Sequence, residues 1–143
     1  QYRKAGVKFI SDRTPLDALA YTMADVQRTN LSEADVGVFE KYREDCFDLT
    51  NENFTNIILV QPGIAYVERE GKAGANKAYM EHFNALAFGL LACEENKVAH
   101  YYIPREVTTI ERRIACLDYA DKKVVQNHAA KVEALREAGE VWH

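Results

Sequence analysis

A chain of 143 residues, 48% hydrophobic and 28% charged, is one domain's worth of globular protein and long enough to bury a core without staples. Its formal net charge of −4 argues against a dedicated binder of nucleic acid or anionic membrane. Three prolines and seven glycines, with no low-complexity run and no fixed repeat, lean the composition toward helix. No signal peptide or membrane span is evident, and the chain opens at Gln1 rather than Met, as expected either where a targeting segment has been removed or where the sequence has been trimmed.

Residues 1–13 mix basic and apolar side chains without a period, which predicts an N-terminal arm laid across one helical domain spanning 14–143. Thr14-Pro15-Leu16-Asp17 then predicts a helix start: a capping hydroxyl, a proline at the first helical position and an acid in the first turn. Leu16, Leu19, Ala20, Met23 and Val26 form its apolar stripe, so a first helix is expected over about 15–28. Ser32-Glu33-Ala34-Asp35, with Leu31 ahead of the cap, opens a second. That helix sets seven acids (Glu33, Asp35, Glu40, Glu44, Asp45, Asp48, Glu52) against Lys41 and Arg43. Its acidic face is a solvated surface or a dock for a basic partner.

The stretch 57–67 admits two readings. Asn56 to Val60 has the composition of a buried strand, Gln61-Pro62-Gly63 is a turn signal, and Ile64 to Val67 would complete a hairpin. Capping residues at Thr50-Asn51-Glu52-Asn53 favour instead a helix running to about Val60. The helix is the preferred expectation, the α+β hairpin the alternative.

Gly71-Lys72-Ala73-Gly74 is a loop without the phosphate-binding GxxxxGK[ST] pattern. A third helix, about 75–94, follows. Its half from Asn84 to Cys93 is apolar almost all round, which predicts the central element of the fold. Glu94 to Ile103 reads as a connection, and Pro104 as the start of a last helix. There Val107, Ile110, Ile114, Leu117, Ala120, Val124, His128, Val132 and Leu135 recur by threes and fours up to Gly139. The expected architecture is all-α: an antiparallel bundle of four main helices with an over-long C-terminal one.

Chemistry-bearing motifs are scarce. Cys46, Cys93 and Cys116 show no metal-ligand spacing and suit free core thiols, although a Cys93–Cys116 disulfide is possible where two helices face each other. Neither ExxH nor HExxH occurs, so no di-iron or thermolysin-type zinc site is expected, and no metal or cofactor is assigned. Ser11 and Ser32 are the only serines and lie outside any G-x-S-x-G, so no catalytic residues are assigned. A haem or bilin held by His82, Phe83 and Phe88, with His128 across from them, is the chemical alternative; an enzyme without a recognisable motif is a third class.

Two family likenesses bear on this. Tyr66-Val67-Glu68-Arg69, Ala73-Gly74, Tyr79-Met80 and Asn84 to Gly89, followed by Pro104, Arg112 and Ala120-Asp121-Lys122-Lys123, resemble the small four-helix lumenal accessory and assembly proteins of photosystem II over about half of the chain. Ala24-Asp25-Val26-Gln27-Arg28, Leu31-Ser32, Asp35 and Phe39 are similar to the opening of phycobiliproteins, whose bilin-bearing Cys-x-Arg-Asp is absent here. The first resemblance implies a non-catalytic subunit of a larger complex in the thylakoid lumen, docking through charged helical faces and terminal arms. Tyr2, Arg3, Lys4, Phe9 and Ile10 of the arm, with Lys122, Lys123, Lys131 and Arg136 of the last helix, are then the expected contacts.

Overall fold

The computed structural model describes residues 9–27, 29–65, 67 and 76–137. Four helices and two short strands follow in the order α1 (Pro15–Val26), α2 (Glu33–Asn53), β1 (Asn56–Val60), α3 (Lys77–Ala92), β2 (Ala99–Ile103) and α4 (Ile110–Glu137). The chain is mostly helical, as expected, but it also carries a small parallel sheet.

The first two helices begin where their caps predict. The Asp17 carboxylate accepts from both the backbone N–H and the hydroxyl of Thr14, at 2.7 and 2.9 Å. Ser32 caps α2 in the same manner: its hydroxyl donates to Asp35 at 2.6 Å and accepts from the Asp35 N–H at 3.2 Å. The Ser32 hydrogen bonds hold the Asp35 carboxyl below the usual range.

The end of α2 overturns the preferred helical reading of 50–60. Thr50 Oγ1 donates to the Cys46 carbonyl at 2.7 Å and Asn53 Nδ2 to the Leu49 carbonyl at 2.8 Å, so both side chains serve the finishing helix rather than a new start. After Phe54 the chain is extended. The strand composition of Asn56–Val60 prevails, yet its partner is not the following segment. Ile64, Ala65 and Val67 carry no strand. β1 pairs in parallel with β2, Asn56 opposite Ala99 through Val60 opposite Ile103. Parallel strands need a long crossover, and α3 is that crossover.

β2 lies within the segment expected to be a mere connection. Two asparagines build that segment. Asn51 Nδ2 donates to the Glu95 carbonyl at 2.9 Å and its Oδ1 accepts from the Lys97 N–H at 2.8 Å, tying the turn to α2. Asn96 Nδ2 reaches the Leu91 carbonyl at 2.8 Å. Pro104 then closes β2 instead of opening a helix. Thr109 starts α4, accepting from the Arg112 N–H through its hydroxyl and from the Arg113 N–H through its carbonyl.

The core also differs from expectation. α1, not α3, lies in the middle, packed on both α2 and α3. Leu19 and Ala20 are fully buried, and Leu16, Cys46, Phe47, Leu90 and Leu91 close around them. On α3 the buried side is Asn84, Ala87, Leu90 and Leu91, while Ala85, Phe88, Gly89 and Ala92 face outward. Ile57 and Leu59 turn one face of the sheet toward the helical core. Strand side chains alternate, so Ile58 and Tyr101 turn to the other face, where α4 lies. The layers are therefore three helices, a two-stranded sheet and one long helix.

Candidate cavity and docking face

α4 is the unusual element. Its 28 residues span about 42 Å, yet its main packing partners are the two five-residue strands. Arg113, Cys116, Ala120 and Val124 make its half-buried side. The apolar stripe expected to seek the core does not reach it: Ile110 and Ile114 are each 60% exposed and Val125 is 58% exposed. Leu117 is also exposed. These residues share a helical face beside the packed one, so α4 presents apolar side chains to solvent along its length.

Between α4 and the outer face of the sheet lies a cavity of about 490 Å3. Ile58, Tyr101 and Ile103 form its floor, and Pro104 and Val107 close one side. The wall on α4 is Arg112, Ala115, Cys116, Tyr119, Ala120 and Lys123. Tyr101 is anchored across the gap, its hydroxyl accepting from Asn127 Nδ2 at 3.4 Å. Lys123 Nζ sits 5.7 Å from the centre of the Tyr119 ring. Among the described residues, neither Arg112 nor Lys123 pairs with a carboxylate, whereas neighbouring Lys122 does, with Asp118 at 2.7 Å.

The start of α4 is held in place by close backbone packing. A Cβ on Gly63 would collide with the Arg105 carbonyl and the Arg113 guanidinium. Arg113 Nε donates to the Val107 carbonyl at 2.8 Å, and its Nη2 is buried without a partner among the described residues. Arg105 forks onto Glu81 of α3 with two bonds of 2.9 Å, which hold the Glu81 carboxyl below its ordinary range.

The expected site residues scatter over this frame. His82 is half-buried on α3, its Nε2 without a partner among the described residues. Phe83 meets Tyr21 of α1 with ring centres 4.2 Å apart, and Phe88 meets Tyr102 of β2 at 5.3 Å. His128 lies in α4, and nothing further is described of its side chain. In the arm, Phe9 packs edge-on against Phe54 at 5.5 Å while Ile10 is 98% exposed. Tyr2, Arg3 and Lys4 lie outside the described residues, as does the 71–74 loop. Lys122 and Lys123 are placed as above; Lys131 and Arg136 are located only as positions on α4.

All three cysteines are free. Cys46 is in the core, where burial pushes its thiol up. Cys93 caps α3 beside the core, and Cys116 is in the cavity wall. Cavity residues Ile58, Tyr101 and Cys116 were not singled out from sequence as a group. Alternation within two strands, one of them unrecognised, would have grouped Ile58 with Tyr101, and Cys116 joins them only through the packing of α4 on the sheet. Among the described residues no cluster of His, Cys, Asp or Glu is arranged to hold a metal, and no helix is long and apolar enough to cross a membrane. No protein-family model, curated protein or solved structure matches this chain.

Proposed function

We propose that this protein is a non-catalytic accessory or assembly subunit that docks on a larger protein complex through α4. The exposed stripe Ile110, Ile114, Leu117 and Val125 supports this reading. A long helix packed mainly on a small sheet, with an apolar face in water, is the form of a helix awaiting a groove or a partner helix. The resemblance carried by Asn84 to Gly89 and Ala120 to Lys123 extends the proposal to an extrinsic photosystem II subunit in the thylakoid lumen, and that extension rests on sequence likeness alone.

The pigment-binding alternative asks His82, Phe83 and Phe88 to share one ligand. Five residues at helical pitch set Phe83 and Phe88 about 140° apart around α3, and each already stacks on a different aromatic partner. The observations favour docking.

The test is isolation of the tagged chain from its native source. The wild type is expected in a stoichiometric complex, and the double variant Ile114→Gln, Leu117→Gln is expected as the free chain with an unchanged thermal transition. Retention of the double variant in the complex would exclude α4 as the docking face. A Soret or bilin absorption band in the purified chain would replace the accessory reading with the pigment-binding one.

A further inference from the structure

We propose that the cavity between α4 and the outer face of the sheet binds a free long-chain carboxylate. At about 490 Å3 it falls within the roughly 300–1,000 Å3 typical of small-molecule sites. Its floor and most of its wall are apolar, and the two cations in its lining, Arg112 and Lys123, lie on the same α4 face. Both belong to an acidic chain of net charge −4, in which Arg13, Lys41, Arg43, Arg105 and Lys122 each have a carboxylate partner, while Lys77, Lys97 and Arg113, away from the cavity lining, have none among the described residues. Neither Arg112 nor Lys123 has one among the described residues.

Eleven residues separate the two cations, about 16 Å along the helix axis. That span suits an extended acyl chain with its carboxylate at one cation. It does not suit a compact ring. A peptide strand would bring backbone N–H and C=O groups into a lining that offers few partners, and burying them unpaired is strongly unfavourable. Nucleic acid would need many more cations than two. Filling the cavity with an acyl chain also gives Ile58, Ala115 and Ala120 the apolar contact they lack.

The proposal stands apart from the docking role, because its residues differ from the exposed stripe. Cys116 reports on it. This thiol is half-buried in the cavity wall, Cys93 is similarly half-buried away from it, and Cys46 is buried in the core.

The experiment titrates the purified chain with parinaric acid, a fluorescent long-chain carboxylate, and with its uncharged methyl ester. Peptide-resolved alkylation by N-ethylmaleimide is followed in parallel. Saturable one-to-one binding of the acid is expected. Saturation should slow Cys116 alkylation several-fold and leave Cys93 unchanged. Ala120→Trp, or Ala115→Trp should the first not fold, is expected to weaken binding at least about ten-fold by filling the site. One of Arg112→Gln and Lys123→Gln, the one that removes the cation holding the carboxylate, should weaken the acid about two- to five-fold, the range of a partly exposed ion pair, and both should leave the ester unaffected. Unprotected Cys116, or an ester that binds as tightly as the acid, would overturn the proposal. So would equal loss of binding in Ile114→Gln, Leu117→Gln, which would place the probe on the exposed stripe.

Discussion

Gly63 shows how much one missing side chain decides here. It follows Pro62 in a turn, and its bare Cα lets the chain pass directly against the Arg105 carbonyl and Arg113. A methyl group there meets backbone on one side, which cannot give way, and the guanidinium held to Val107 on the other. Gly63→Ala is therefore expected to destabilise the fold by about 1–3 kcal/mol, the usual range for overpacking, as read from the midpoint of urea unfolding. An unchanged midpoint would show that the turn can shift. The turn itself was legible in Gln61-Pro62-Gly63. The need for glycine was not, because its neighbours come from positions 105 and 113, more than forty residues away.

At the scale of elements, the helices whose caps are local were readable and the strands were not. Thr14 with Asp17 and Ser32 with Asp35 complete their hydrogen bonds within three residues, so position in sequence suffices to find them. β1 finds its partner only across α3, and nothing in Asn56–Val60 names Ala99–Ile103. Apolar composition misled in a second way at α3. Ala85, Gly89 and Ala92 are apolar and exposed, and Phe88 is covered only in part, by Tyr102 of β2, since α1 and the sheet pack mainly on the other sides. Gly89 there is in mid-helix, and a Cβ would meet open space. Gly89→Ala is expected to stabilise the protein by about 0.5–1 kcal/mol in chemical denaturation, because alanine loses less backbone entropy in a helix. Destabilisation would mean that this face is covered in the folded protein.

The whole molecule is tied together by ion pairs that bridge its layers. Glu81 joins α3 to Arg105 beyond β2, and Glu95, ahead of β2, joins Arg43 of α2 at 2.6 Å. Their arginine partners hold both carboxyls below the ordinary range, and the Ser32 bonds do the same for Asp35. In the unfolded chain these groups take up protons near about pH 4. As pH falls, the unfolded state binds protons first, so acid shifts the balance toward unfolding. Stability is expected to be level from about pH 5 to 8 and to decline through pH 4 and below, measured as the urea midpoint against pH. In Glu81→Gln the decline should be shallower. A midpoint that rises on acidification would contradict the sign of these shifts.

What the sequence determined by itself is the helical character and the starts of α1 and α2, since caps and a 3.6-residue period act within a few residues of the chain. The last helix was legible as a helix for the same reason, though not its start at Ile110 nor its surroundings. Only the tertiary structure decided that α1 sits at the centre, that two strands pair across a helix, and that the stripe from Ile110 to Val125 faces water. Periodicity tells which side chains share a face. Which face is covered depends on the layers that long-range pairing brings beside it, and here the sheet lies beside the α4 face with Cys116 and Ala120, with a cavity between them, and leaves the neighbouring apolar face open.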